Sequence, residues 1–538
     1  MKKKLTNRRE VAPTFYGGVL VLSLSTVIVK IVGLLYKIPM LSFLGAEGMG
    51  YFNSAYEIYA LLCVVSTAGL PVALSMLVSS YRENGNHLAI KSVYKSAVSL
   101  FLFLGIVGTT LLFTFADTIS KLIKNESALY SLIAIAPALL FVCVSSAIRG
   151  YFQGHLKMLP TAISQMIEAV GKLVFGILFA KYALDLGYDL SIVAAFAVLG
   201  LTLGTFLSSI YLVIVKIFSK PNFKNINYDS VTSEKGKPSL LVKIAFPITV
   251  SSAVISVTRI IDMTLIMRRL QDIGYSVGVA NEIYGVYTTV AVPIFSLVPS
   301  LLAPISMSLV PSLSGALEKS ERKTDVVYKA IKITVFFAIP ASLAIVLYSS
   351  PIISLLFFNI KGELSNASRL LSILGVSVVF SCLISTTNSI LQSYRKVYKP
   401  ILSMSIGAAV KIISAYILIG IPQINVLGAP ISTLLCDLTV TVTNLYFVYR
   451  LGERSVGALS LYLKPLASST ISLLTSFALY AFLFYKTNNE ILSFIIVAPF
   501  AVILYIVLSF LTKSITHDDI SDLPFGDKIL RFKIFKKI

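Results

Sequence analysis

The sequence Lys30-Ile-Val-Gly-Leu-Leu-Tyr-Lys-Ile-Pro39 lies within a long apolar segment that runs from Thr14 to Leu41. A glycine-rich turn, Gly45 to Gly50, separates it from a second apolar segment that carries Glu57 within Ala55-Tyr-Glu-Ile-Tyr59. The chain later returns to this pattern as Ala280-Asn-Glu-Ile-Tyr284. Charges inside membrane-length helices are costly and usually face a bundle interior or a water-filled cavity. The repetition predicts two lobes with a charged pathway between them.

The composition indicates a membrane protein. Only 13% of the 538 residues are charged, while 56% are hydrophobic. Ordinary soluble domains carry about a quarter charged residues. The formal net charge of +21 comes from Lys and Arg residues that are spread over the links between apolar segments. This spread is typical of a topology signal, so the expected surroundings are a phospholipid bilayer, and no nucleic-acid partner is expected.

Runs of about 20 apolar residues can cross a membrane as α-helices. The sequence contains fourteen such segments and therefore predicts an all-α polytopic membrane protein with 14 transmembrane helices. No link between them is long enough for a soluble catalytic domain. The predicted segments are 14–41, 51–79, 92–116, 127–150, 159–182, 190–216, 239–267, 282–311, 327–349, 365–392, 398–419, 426–449, 462–484 and 490–512.

The Lys and Arg residues also predict the orientation. When the N-terminus is placed inside and the segments alternate, most of the 46 Lys and Arg residues fall on the cytoplasmic side. Short cytoplasmic links are enriched in these residues in membrane proteins. We therefore expect a multi-pass protein of the cell membrane with both termini in the cytoplasm.

Segments 1–6 and 7–12 predict two six-helix repeats. The fifth helix of each repeat carries a lysine within the membrane, in Ala-Val-Gly-Lys172 and Ala-Ala-Val-Lys411. Because six is even, the copies share one orientation and are parallel repeats. The expected domains are an N-lobe (1–225), a C-lobe (226–455) and a last part (456–538) with helices 13 and 14 and a basic cytoplasmic tail. A lysine-rich link near 217–238 joins the lobes.

Ionisable residues inside the segments are the candidate site residues. Glu168 and Lys172 are four residues apart and can pair on one helix face, and Arg259 and Asp262 are three apart. Such pairs could equally serve only to neutralise each other and hold the bundle together. Lys30 and Arg259 could instead clamp an anionic head group. The candidate residues for binding a substrate in a central cavity are Lys30, Lys37, Glu57, Lys172, Arg259, Asp262 and Lys411.

The sequence offers no metal, cofactor or enzyme motif. The four cysteines fall inside apolar segments, and the three histidines are far apart, so no metal site is predicted. The spacing Gly45-x-x-Gly48-x-Gly50 lies between two membrane helices, so a phosphate-cradling loop is not expected. The chain is therefore expected not to be an enzyme and to need no cofactor.

Several motifs resemble one family over nearly the whole chain. They are Lys30-Ile-Val-Gly-Leu-Leu-Tyr-Lys-Ile-Pro39, Leu44-Gly-Ala-Glu-Gly-Met-Gly-Tyr51, Ser66-Thr-Ala-Gly-Leu-Pro-Val-Ala73, Arg149-Gly-Tyr-Phe-Gln-Gly154 and His517-Asp-Asp-Ile-Ser-Asp-Leu-Pro-Phe-Gly526. The family is the Gram-positive polysaccharide-biosynthesis and stage V sporulation protein B-like transporters, which are similar to MurJ-type lipid II flippases of the MOP superfamily.

The resemblance implies two six-helix lobes in a V shape around a cationic cavity, with two final helices forming a groove for a lipid tail. It also implies alternating access that carries an undecaprenyl-pyrophosphate-linked peptidoglycan precursor to the outer leaflet. Gram-negative members carry arginines in the first two helices. Here only Lys30 and Lys37 match basic first-helix positions, and the second helix offers Glu57 but no arginine.

Three functions stay open from the sequence. The first is a flippase for a lipid-linked oligosaccharide, most simply lipid II, with a monovalent counter-ion or the membrane potential as a candidate driving force. The second is a MOP-type exporter of another lipid-linked polysaccharide or of cationic drugs. The third is a non-transporting membrane scaffold in cell-wall or spore-envelope assembly, with the basic tail, residues 528–538, as its docking segment.

Overall fold

The chain folds into helices joined by short turns. The computed structural model describes residues 2–83, 85–219, 238–302, 323–357, 363–394, 396, 398–453 and 459–515, and no strand occurs among them. They belong to two compact units, residues 1–285 and 286–538. The predicted all-α class is thereby confirmed.

The first unit is built from long helices. The side chain of Asn86 accepts a hydrogen bond of 2.9 Å from the amide of Ala89, which caps the third helix at its N-terminus. The helices are α1 (Lys2–Thr67), α2 (Gly69–Glu83), α3 (His87–Thr114), α4 (Ala116–Leu122), α5 (Leu129–Gly154), α6 (Leu159–Asp185), α7 (Leu190–Phe218), α8 (Pro238–Asp272) and α9 (Val277–Val286), which ends at the first residue of the second unit.

The second unit begins at Val286, the last residue of α9, and a wide turn of π-helix follows at Tyr287–Ala291. The last helix starts where Asn489 accepts a hydrogen bond of 3.0 Å from the amide of Leu492. The helices are α10 (Lys323–Leu347), α11 (Ser349–Leu356), α12 (Leu364–Ser393), α13 (Tyr398–Ile419), α14 (Gly428–Arg450), α15 (Ser460–Thr487) and α16 (Glu490–Leu511).

Twelve helical stretches among the described residues are long and apolar enough to cross a membrane. The first, Leu24–Arg82, has 59 residues and contains residues 24–41 of predicted segment 14–41 and all of segment 51–79. Segment 239–267 lies in α8, of which Ser239–Val250 forms a shorter apolar helix. The protein is therefore a multi-pass membrane protein, while the count of fourteen and the parallel repeats stay predictions.

Some predicted features lie outside the described residues. They are residues 220–237 of the predicted lobe connector, the end of segment 282–311, and the chain from residue 516 onwards, which includes the His517 motif and the basic tail. The two units divide at Gly285, and α8 packs against α1 and α2 within the first unit. The domain boundaries at 225 and 455 follow the sequence repeat and stay predictions.

Glycines bring α6 and α7 into backbone contact. A Cβ atom on Gly200 would lie 2.1 Å from the backbone nitrogen of Gly176, and one on Gly171 would lie 2.7 Å from the Cα of Gly204. Small residues allow such close approach in membranes, where packing rather than water expulsion holds helices together. Gly176 also lies under the ring of Tyr36. Tyr36 of α1 therefore packs where α6 and α7 meet.

Hydrogen bonds between helices stabilise the second unit. Ser342 on α10 donates to the carbonyl of Gly375 on α12 at 2.7 Å, and Ser472 on α15 donates to Ala501 on α16 at the same distance. Tyr505 on α16 donates to the carbonyl of Phe336 on α10 at 2.6 Å. These bonds between buried groups replace water as partner, so they fix how α15 and α16 pack on α10.

Candidate functional site

A bend in α1 organises the candidate site of the first unit. Gly45 has a φ of 62°, in the left-handed region that favours glycine, and so interrupts the helix between two halves. The bend falls within the glycine-rich turn predicted from the sequence. The first half of α1 carries Lys30 and Lys37, and the second half carries Glu57. Both cations and the acid therefore lie on one bent helix.

Lys37, Glu57 and Lys172 come together in the first unit. Glu57 attracts Lys37 electrostatically, while Lys172 of α6 repels it. These three residues were predicted as site residues, and they form one charged group. Its two cations and one acid leave a net positive charge within membrane-length helices, which suits an anionic ligand.

Aromatic rings of α1 surround Lys172. Its Nζ lies 4.9 Å from the ring centroid of Tyr36, 5.5 Å from that of Phe52 and 4.8 Å from that of Tyr56. A cation over aromatic faces is stabilised by the ring quadrupole, and more so where water is excluded. Tyr36 and Phe52 also contact each other, with centroids 5.9 Å apart. These rings therefore form an aromatic cage for Lys172.

The prediction that Glu168 pairs with Lys172 is wrong, because Glu168 forms its salt bridge with another residue. Glu168 accepts a hydrogen bond of 2.9 Å from Arg149 on α5, and this is a salt bridge. Lys172 still attracts Glu168 electrostatically, but its close neighbours are the cage rings. The cause is packing: α5 brings a guanidinium to the carboxylate, and its planar fork is better suited to pairing than an ammonium group.

Arg149, the partner of Glu168, is a charged residue that was not among the predicted candidates. Its side chain is 14% exposed and makes further hydrogen bonds of 2.9 Å to Ser164 and 3.1 Å to Ser208. The available signal was the motif Arg149-Gly-Tyr-Phe-Gln-Gly154, which begins at the end of the predicted segment 127–150. Arg149 therefore links α5, α6 and α7 through one side chain.

Lys30 and Arg259 lie near each other. Lys30 on α1 and Arg259 on α8 are both exposed, and they are close enough to repel each other electrostatically. Two like charges that approach from different helices raise the free energy of the unliganded protein. An anion between them would offset this repulsion. Asp262 is partly buried one turn further along α8, and its pairing with Arg259 stays a prediction.

Lys411 belongs to the second unit, whereas the other six candidates belong to the first. Asp437 on α14 attracts Lys411 on α13 electrostatically, and Asp437 accepts a hydrogen bond from Ser381 on α12. Near this pair in the chain, Asn444 of α14 donates to Thr387 at 3.1 Å. This polar group joins three helices of the second unit. Over the described part of the chain, no group of three or more His, Cys, Asp or Glu side chains could hold a metal ion.

Two known proteins of one bacterium resemble the chain over most of its length. The chain is 24% identical to stage V sporulation protein B of Bacillus subtilis (strain 168) over 438 residues, covering 80% of this chain and 82% of that protein. It is 25% identical to the lipid II flippase MurJ of the same organism, covering 78% of this chain and 79% of that protein.

A solved structure shows the fold. The lipid II flippase MurJ in an inward closed conformation matches with a TM-score of 0.69 at 17% sequence identity, covering 91% of this chain and 98% of that chain. The family described as polysaccharide biosynthesis protein matches residues 15–317, which is more than half of the 538 residues. With its membrane-spanning helices and MurJ-like fold, the chain belongs to the polysaccharide biosynthesis protein family.

Proposed function

We propose that the protein is a flippase that moves an undecaprenyl-pyrophosphate-linked cell-wall precursor, lipid II, across the cell membrane by alternating access. The observation that carries the proposal is the pair of exposed, mutually repelling cations Lys30 and Arg259 within the first unit. A pyrophosphate carries several negative charges and accepts hydrogen bonds in the planar fork geometry of arginine. A pyrophosphate bound between Lys30 and Arg259 would attract both cations and so offset the repulsion between them.

The neighbouring charges support the same cargo. Lys37, Glu57 and Lys172 lie together, and the aromatic cage holds Lys172 beside them. In the proposal, Lys30 and Arg259 contact the pyrophosphate, and Lys37 and Lys172 add positive potential. The sugar crosses through the interior, while the polyprenyl tail stays in lipid beside α15 and α16. Both termini are cytoplasmic, and the membrane potential or a monovalent counter-ion drives the cycle.

The relatives support this proposal over its alternatives. A lipid II flippase is similar to the chain in sequence and in fold. The net positive charge of the first-unit group suits an anionic lipid and disfavours a cationic drug. A scaffold would need no charges inside the membrane, because their burial costs free energy without serving a partner outside.

The proposal is tested with purified protein in liposomes that contain fluorescent lipid II and an impermeant quencher. Wild-type protein should expose the inner-leaflet lipid to the quencher, and Arg259→Ala should slow this exposure at least about tenfold, since a lost contact of about 1.4 kcal/mol already changes a rate by that factor. Arg268→Ala on the same helix is the matched control, because Arg268 is also an exposed arginine and lies near the helix end.

Full activity of Arg259→Ala would remove Arg259 from the site. If wild-type protein moves no lipid II under an imposed membrane potential, the cargo assignment fails. The same assay with another undecaprenyl-linked glycan would then separate a different flippase from a scaffold.

A further inference from the structure

Four basic residues lie close together at one end of the first unit, at the ends of helices α2, α5 and α7. Arg82 lies in the last turn of α2, Lys216 lies in the last turn of α7, and His155 and Lys157 follow the end of α5. Arg82 donates a hydrogen bond of 2.8 Å to the backbone carbonyl of His155, which ties α2 to the turn after α5. These four residues are the basic cluster.

Aromatic rings fix the position of Lys216 in the basic cluster. Its Nζ lies 3.0 Å from the ring centroid of Tyr151 and 4.8 Å from that of Tyr94. The Tyr151 ring also contacts Tyr94 at 4.8 Å and His155 at 4.3 Å between centroids. Cation–π contacts of this kind hold an ammonium group in place while leaving its remaining donors free to bind an anion.

Within the described residues, the basic cluster makes no ion pair with an acidic side chain. Among the side chains that the structure describes, no salt bridge joins Arg82, Lys157 or Lys216 to a carboxylate. Burial lowers the pKa of His155, and the cations Lys216, Arg82 and Lys157 lower that pKa further, against the hydrogen bond to the Tyr151 carbonyl. Lys157 also repels Lys216. The site therefore has an excess of positive charge that a bound anion would offset.

Apolar side chains border the basic cluster. Ile217 and Phe218 follow Lys216 at the end of α7 and are 72% and 79% exposed, and Leu159 at the start of α6 is 59% exposed. These ends belong to helices long and apolar enough to cross a membrane. Exposed apolar side chains beside cations at a helix end match a ligand with acyl chains and a charged head group, and they do not match a free ion.

We propose that the basic cluster binds the phosphate of an anionic phospholipid such as phosphatidylglycerol, with the acyl chains lying along Ile217, Phe218 and Leu159. Lys157 and Lys216 contact the phosphate, and Arg82 fixes the turn that carries His155. The chemistry recognised is a phosphate on a lipid, and the bilayer supplies such lipids at high concentration. The proposal does not rest on the transport function, since the cluster contains none of the candidate transport residues.

The test measures the thermal unfolding midpoint of the purified full chain in detergent with added dioctanoyl phosphatidylglycerol. Wild-type protein should show a saturable rise in the midpoint, and Lys157→Gln/Lys216→Gln should bind the lipid roughly tenfold more weakly. Lys91→Gln/Lys95→Gln is the matched control. It removes the same charge from exposed positions of α3 near the same end of the unit and should bind as wild type does.

Three further ligands distinguish the sources of the phosphate. Dioctanoyl phosphatidylcholine and inorganic phosphate should give smaller rises that the double variant leaves unchanged. Equal affinity of wild-type protein and the double variant for phosphatidylglycerol would overturn the proposal, as would an equal loss in the Lys91/Lys95 control. Stabilisation by farnesyl pyrophosphate in place of phosphatidylglycerol would reassign the cluster to a polyprenyl pyrophosphate.

Discussion

Lys172 and Lys411 occupy equivalent positions in the predicted repeat, yet their surroundings differ. In the first unit, the rings of Tyr36, Phe52 and Tyr56 surround Lys172, and the salt bridge of Glu168 goes to Arg149. In the second unit, Asp437 on the neighbouring helix attracts Lys411. One lysine is held by aromatic faces and the other by a carboxylate.

A repeated sequence motif therefore fixes where a charge lies along a membrane-length helix but not what stabilises it there. An ammonium group held by rings can leave them at moderate cost, because cation–π contacts are worth about 0.5–2 kcal/mol. A carboxylate left without its cation in a buried site costs several kcal/mol. Lys172 is therefore better suited than Lys411 to exchange partners when an anion binds nearby.

The Arg149–Glu168 salt bridge is the interaction whose loss should lower the free energy of unfolding most. Arg149→Ala removes the arginine from a carboxylate that is 31% exposed and also leaves Ser164 and Ser208 without this donor. We expect the free energy of unfolding to fall by about 2–3 kcal/mol, because a partly buried charge loses its partner. Denaturant unfolding of the purified protein in detergent measures this.

Glu168→Gln in the Arg149→Ala background is the matched control, and it should recover part of the loss because the uncompensated charge is gone. An Arg149→Ala protein as stable as wild type would show that Lys172 takes over the pairing, and the contrast between the two lysines would then disappear.

An intermediate effect is expected in the second unit. Lys411→Met leaves Asp437 with the hydrogen bond from Ser381 but without the attraction of the lysine. We expect the free energy of unfolding to fall by about 2 kcal/mol at pH 8, and the same unfolding experiment measures it. Lys411→Met/Asp437→Asn is the control and should lie closer to wild type. If the single and double variants unfold alike, Asp437 does not depend on Lys411.

The smallest expected effect is that of Lys172→Met. The substitution loses the cation–π contacts but also removes the repulsion of Lys37, and a thioether packs well against aromatic rings. We expect the free energy of unfolding to stay within about 1 kcal/mol of wild type. Tyr36→Phe keeps the ring and serves as the control for the cage. If Lys172→Met lowers the free energy of unfolding as much as Lys411→Met does, the aromatic cage stabilises its lysine as strongly as the carboxylate does.

The helices could be predicted from the sequence because their length and hydropathy are local properties. Segment 490–512 corresponds to Glu490–Leu511, and segment 365–392 corresponds to Leu364–Ser393. The bend of α1 was also predicted, since the glycines between residues 45 and 50 mark a turn. The exact count of spans was harder, because α1 and α2 form one long helical stretch and α8 contributes only the shorter apolar helix Ser239–Val250.

The partners of the charges could not be predicted. Helix spacing relates Glu168 only to residues on its own face, such as Lys172, whereas Arg149 reaches it from α5. Likewise, the cage rings Tyr36 and Phe52 lie on α1, far from Lys172 in the sequence. Such contacts depend on how α1 and α5 pack against α6, where the approach of α7 through Gly200 and Gly204 also matters.

The bend at Gly45 has a consequence for the lysines before it. A Cβ atom at this position would meet nothing within 4 Å, so the site has room for a side chain. Its backbone conformation, however, strains any L-residue. The requirement for glycine is therefore one of handedness rather than of space, and a D-alanine would satisfy it. The half of α1 that carries Lys30 and Lys37 is therefore joined to the half that carries Glu57 through one residue whose backbone conformation no L-side chain adopts without strain.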